Sequence, residues 1–203
     1  MTQNIGDRLI EAADNLLGDM IEQAVYQVGD ASKYASPIEH GMATALAMVC
    51  RVYFPSFVFY AERGLAVADA HVCAHLGVGG CDGCIFPQVS IGEYRVDFLV
   101  IHEKGLDSPG ASPGGIVVEC DGHEFHEKTK KQVARDKRRD RYLQEQGFRV
   151  FRFAGSEVWA DPYRCASEVL SLAHAIACDA TWARQCMKTG DVAAAAQALS
   201  YHH

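Results

Sequence analysis

Apolar residues recur at helical spacing from Gln3 to Val28, where Ile5, Leu9, Ile10, Ala13, Leu16, Leu17, Met20, Ile21 and Ala24 share one face. This predicts an amphipathic packing helix that ends at Gly29–Ser32. A second helix is expected from Ser36 to about Val52, with Ser36 as N-cap, Pro37 at the first helical position and Glu39 at the third. Phe54–Tyr60 is apolar and aromatic but broken by Pro55, which suits an irregular strand or a wall of the core. The pattern then shortens. Tyr94–Ile101 and Ile116–Asp121 are β-branched and aromatic runs bounded by turn signals, so both read as strands. Phe86–Gly92 leads into the first of them as its candidate hairpin partner. His102–Gly115 carries two prolines and four glycines and reads as a long exposed connection. A charged helix follows Glu127. Gly147–Phe153 is a candidate central strand, with Gly147 suited to the end of the preceding helix. Glu157–Ala160 reads as a turn, Pro162–Ala177 as a helix, and the Ala-rich remainder from Cys178 as helical.

This pattern brings acidic side chains into apolar company. Alternation along a strand puts Glu119 and Asp121 on one face, and Asp97 sits mid-strand among apolar neighbours. If the two strands pair, three carboxylates converge. Such groups repel one another and are costly to bury. A divalent cation resolves the conflict, and hard oxygen ligands suit magnesium or manganese. His123 and His126 follow the second strand and are candidate proton carriers; a solvated turn is the plainer reading.

Composition adds little by itself. The chain has 203 residues, 49% apolar and 22% charged, enough for one domain with a substantial core. Its net charge of −7 gives no general argument for nucleic acid. Charge placement does. Between Glu127 and Arg141 stand Lys128, Lys130, Lys131, Arg135, Lys137, Arg138, Arg139 and Arg141 against three acids, a local +5 that leaves about −12 elsewhere. A charged helix is ordinarily a solvated face. Beside the carboxylates, this stripe becomes a candidate for binding phosphate. No apolar run approaches a membrane span, and the N-terminus has acids where a signal peptide has basic residues, so a cytoplasmic protein is expected. The eight cysteines form no disulfide framework. Cys81 and Cys84 have zinc-knuckle spacing in a Gly-rich segment, and Cys73 or His71 would complete a tetrahedral structural zinc site; uncoordinated thiols in a loop are the alternative.

Asp97, then Glu119-x-Asp121-Gly122-x-x-x-His126, Asp136-x-x-Arg139-x-x-x-Leu143 and Gly147-Phe148-x-Val150-x-Arg152-Phe153 together resemble the PD-(D/E)XK nuclease superfamily. The likeness is to its branch similar to the very-short-patch repair endonuclease, and it covers about Ser36–Leu170. It implies an α/β restriction-endonuclease-like core with a mixed sheet of about four strands flanked by helices. The expected division is an N-terminal helical addition over 1–35, the core over 36–172 and a helical tail over 173–203. It also implies metal-dependent hydrolysis of nucleic acid, with DNA as the favoured substrate. Asp97, Glu119 and Asp121 would be the metal ligands and His126 a motif residue. Many of these nucleases carry a Glu on the first core helix, which makes Glu39 a candidate. Ser36-x-x-Glu39 is equally a capping box, and one carboxylate cannot serve both places well. The superfamily's usual Lys stands two residues after the Glu; that position holds Asp121, which leaves the cationic role open to a His or Lys nearby. A catalytically silent binding module on the same fold is the competing expectation.

Overall fold

The computed structural model describes residues 5–70, 83–102, 115–122, 130–191, 193–194 and 197. Helix α1 (Ile5–Val28) leads to α2 (Pro37–Tyr53). Ser36 caps α2 by accepting the Glu39 N–H at 3.2 Å, as the sequence predicts. Strands β1 (Phe57–Phe59), β2 (Gly83–Ile91), β3 (Tyr94–His102) and β4 (Gly115–Asp121) follow, then α3 (Lys130–Glu145), β5 (Phe148–Ala154), α4 (Gly155–Ala160) and α5 (Pro162–Thr189). The sheet has five strands in the order β1-β2-β3-β4-β5. It is mixed: β1 and β2 run parallel, β2, β3 and β4 antiparallel, and β4 and β5 parallel.

Two apolar cores lie on its two sides. The first joins α1, α2 and α5 to the sheet through Met42, Leu46, Phe98, Val118 and Leu170. The second gathers Phe86, Val89, Leu99, Val117 and Phe148 with Leu143 of α3. Leu143 is the one buried residue among the described side chains of α3, and half-buried Tyr142 packs beside it on the second core, so this highly charged helix is held by a small apolar contact and by its ion pairs.

Several expectations are revised. The strand over 148–154 is at the edge of the described sheet, paired to β4 alone, and not central. The half-buried side chains of Arg149–Arg152 fit a strand at the border of the sheet. Residues 155–160 form a helix where a turn is predicted, and α5 continues past the expected end at Ala177 to Thr189. His102 and Gly115 belong to strands; the connection 103–114 lies outside the described residues. No described helix is long and apolar enough to cross a membrane.

The hairpin between β2 and β3 turns at Gly92, whose φ of 60° suits a tight two-residue turn. Register fixes what happens farther along. Pro87 pairs with Phe98 and Val89 with Val96, so Gln88 faces Asp97. Both strands change sides there. Cys84 and Phe86 face the second core, as do Val89 and Ile91, which breaks the two-residue alternation between 86 and 89. In β3, Val96 faces the second core but Phe98 and Val100 face the first. Gln88 has a φ of 59°, the backbone rotation that produces the kink. The β3–β4 ladder ends at the same level, covering Phe98–Val100 against Ile116–Val118. Below it Tyr94–Val96 stay with β2 and Glu119–Asp121 with β5, so the sheet forks.

Candidate carboxylate site

Asp97 and Glu119 stand at the mouth of that fork, one residue beyond the last β3–β4 pair, Phe98 with Val118. Where the ladder gives out, the Asp97 carboxylate replaces it: Oδ2 accepts the Cys120 N–H at 2.8 Å. Glu119 projects from β4 on the side of Val117 and meets Arg139 of α3, with Oε1 against Nη2. Glu39 arrives from α2, the helix layer on the opposite side. The kink therefore lets side chains from both layers converge at Asp97, which an uninterrupted sheet would keep apart.

Four polar or charged residues are buried among the described ones, and three of them are Glu39, Gln88 and Glu119. Buried polar groups need an explanation in a way exposed apolar groups do not. Burial, and then repulsion from Asp97, pushes the Glu119 carboxyl up to about 7 despite the pull of Arg139. Burial and the same aspartate raise Glu39 to about 7. Asp97 is itself raised, chiefly by burial, against the Cys120 hydrogen bond and the charge of Arg139. Asp97 thus holds both glutamates away from their charged form, while its own carboxyl is raised by burial and by Asp121.

Asp121 lies on the same face of β4 and reaches Arg152 of β5, whose Nη1 is 3.2 Å from Oδ1. Arg152 also holds Asp140 of α3, with Nη2 at 2.6 Å from Oδ1 and Nε at 3.3 Å from Oδ2. One guanidinium therefore ties β4, β5 and α3 together. Among the described residues no group of three or more His, Cys, Asp or Glu is already arranged as a metal cage.

The expected choice between a capping and a site role for Glu39 is corrected. Ser36 Oγ makes its half of the capping box, but Glu39 Oε2 takes the N–H of Ala35 at 3.2 Å and the amide of Gln88 at 2.6 Å. One carboxylate tethers the entrance of α2 and faces Asp97 together. Arg139 sits half-buried on Glu119, less exposed than its basic neighbours on α3. Arg135, Lys137 and Arg138 are exposed, as a phosphate-facing row requires. The side chains of Lys130 and Lys131, and Lys128, His123 and His126 entirely, lie outside the described residues. So do His71, Cys73 and Cys81; Cys84 is buried in β2 and not in a loop. Sequence reasoning missed Gln88 and gave Arg152 no role. The signal for Gln88 was a lone amide in an apolar run directly after Pro87, and for Arg152 an arginine between two phenylalanines in a mainly apolar strand.

A groove of about 590 Å³ between α1, α2 and α5 is lined mainly by apolar residues such as Leu17, Ile21, Met48 and Phe54, and none of these acids lines it. The model of the restriction-endonuclease-like family REase_MTES_1575 matches residues 69–172, just over half of the chain and including Asp97, Glu119, Asp121, Arg139 and Arg152. Neither a curated protein nor a solved structure matches it.

Proposed function

Because this chain belongs to the REase_MTES_1575 family of restriction-endonuclease-like nucleases, we propose that it is a metal-dependent endonuclease that hydrolyses phosphodiester bonds in DNA. The observation that carries this reading is the approach of two buried carboxylates, Glu39 and Glu119, to the half-buried Asp97 from three different elements. Such a group opposes folding unless a cation or protons neutralise it. Its donors are all hard oxygens, which fits magnesium or manganese. Asp97 and Glu119 would hold the ion, with Asp121 beside them. When bound, the ion supplies Lewis acidity to the phosphate and lowers the pKa of a water.

The chain's own residues do the rest. Glu39 orients the attacking water and accepts its proton, a task for which a carboxyl near neutrality is matched. Arg139 takes the cationic role left open by Asp121. Arg152 is engaged by two carboxylates, whereas Arg139 has Glu119 as its described partner and lies on the face of α3 that meets the acids. A guanidinium there counters charge that builds on the phosphate as the bond breaks. Arg135, Lys137 and Arg138, with Lys128, Lys130 and Lys131, would track the backbone of the nucleic acid. His123 and His126 remain proposed proton carriers, and Cys73, Cys81, Cys84 and His71 a proposed structural zinc set. The ordered motifs favour the branch similar to the very-short-patch repair endonuclease, with a core over 36–172 in a cytoplasmic protein.

One observation favours the silent-module reading: Glu119 and Asp121 already have arginine partners. A cleavage screen separates the two readings. Single-stranded, duplex, mismatched and branched DNA and RNA are incubated with magnesium or manganese, with chelator as control. Chelator-sensitive cutting of a DNA substrate is expected; cutting of none supports the silent module.

A further inference from the structure

Gln88 combines three features that a β-strand does not need. It is the one non-glycine residue with positive φ among those described, at 59°. A side chain there is uncommon because Cβ crowds the neighbouring backbone. It is a polar residue only 4% exposed in a strand that is otherwise nearly all apolar. Its Nε2 donates at 2.6 Å to a carboxylate 49 residues away in sequence, that of Glu39. Glycine would take this backbone without strain, and leucine would fill the space without a buried amide. Glutamine satisfies neither preference, and only the bond to Glu39 accounts for it. Strained backbone and buried amides of this kind persist where the surroundings hold them for function.

Position strengthens the case. Gln88 faces Asp97 across the hairpin, at the level where both strands change sides. The Gln88 and Ala35 donors both go to Glu39 Oε2, which fixes the rotation of the carboxylate and leaves Oε1 for the reaction. Without the amide, Glu39 would keep the Ala35 N–H at 3.2 Å as its described donor, against the charge of Asp97.

We propose that Gln88 is a positioning residue of the carboxylate site: its left-handed backbone kinks the hairpin at Asp97, and its carboxamide fixes Glu39 against that aspartate for hydrolysis. This role rests on the hydrolase reading above.

The test compares Gln88→Met and Gln88→Gly, each alone and with Glu39→Met, in the full chain. Methionine keeps length and backbone strain but removes the donor; glycine removes the donor and the strain. Both single variants are expected to lose about tenfold or more in kcat at saturating metal, with KM for DNA within about twofold of wild type. Their melting temperatures should diverge, glycine lying above methionine. In the Glu39→Met background, Gln88→Met should cost nothing further in kcat, because the partner is already gone. A glycine variant with wild-type kcat, or losses that multiply in the double variant, overturns the role of Gln88 and leaves the hydrolase reading standing. A wild type that cuts no substrate overturns that reading and this role together. The melting temperatures of the same proteins then show separately whether the two residues are paired.

Discussion

Replacing Glu119 by Gln is expected to stabilise the protein at pH 8 and to do so much less at pH 5. Glu119 is 5% exposed, and burial followed by repulsion from Asp97 lifts its carboxyl from 4.5 to about 7 in the folded chain. That rise already includes the opposing pull of Arg139 and Arg152. Between the two values the folded chain binds more protons than the unfolded one. Stability is therefore fullest below about pH 4.5, falls as pH rises towards 7 and stays low above it. The sign is opposite to that of a salt-bridged carboxylate with a depressed pKa. At about 1.36 kcal/mol per pKa unit, the rise corresponds to roughly 3 kcal/mol. Asp97 and Glu39 titrate with Glu119 and share the relief that one proton gives, so about 1–3 kcal/mol is expected at pH 8 and about 1 or less at pH 5. Urea unfolding followed by circular dichroism, in chelator at several pH values, gives the difference between variant and wild type directly. Taking that difference removes the titration of distant histidines. A Gln variant that is less stable than wild type at pH 8, or a difference that does not grow with pH, would refute the account of Glu119 as a carboxyl held in repulsive, buried company.

Arg152→Met should lower stability at pH 7 by about 1–3 kcal/mol, below the cost of breaking a fully buried pair because the guanidinium is partly exposed. Unchanged urea unfolding would mean that Leu143, Tyr142 and the Arg139–Glu119 pair dock α3 without it. Replacing Arg135, Lys137 and Arg138 together by Ala should weaken DNA binding regardless of sequence and flatten its salt dependence by about 0.9 in log–log slope for each phosphate no longer neutralised. Fluorescence anisotropy across a salt series reads this, and an unchanged slope would make the row an ordinary solvated face. Elemental analysis should find one zinc per chain if Cys73, Cys81, Cys84 and His71 bind it; zinc-free protein with titratable thiols removes that assignment.

Local chemistry was legible in the sequence. Ser36 and Pro37 mark the start of α2 because capping depends on three or four consecutive residues. Gly92 and Gly147 mark a hairpin and a helix end through backbone angles that favour glycine. Adjacency of the Asp97 and Glu119 strands was expected from their alternation together with the loop that joins them, and the sheet order has them adjacent. Long-range pairing was not legible. The kink at Gln88 follows from the register between β2 and β3, and no window of sequence contains both sides of it. Arg139 read as one member of a cationic row because its partner, Glu119, is 20 positions earlier and meets it only through the docking of α3. Glu39 looked like a choice between two roles because its tether to Ala35, in place of Ser36, depends on where Gln88 sits. The edge position of β5 depends on which strands pair with it, and its own apolar pattern carries no information on that.

The central claim is that Asp97 and Glu119 form a hydrolytic site and are not structural acids. The direct measurement is the rate of DNA cleavage by wild type, Asp97→Ala and Glu119→Ala with magnesium, on proteins shown by circular dichroism to be folded. The account predicts chelator-sensitive cleavage by wild type, none by either variant, and a melting temperature that magnesium raises in wild type and raises less in the variants. Variants that cut as fast as wild type would contradict it.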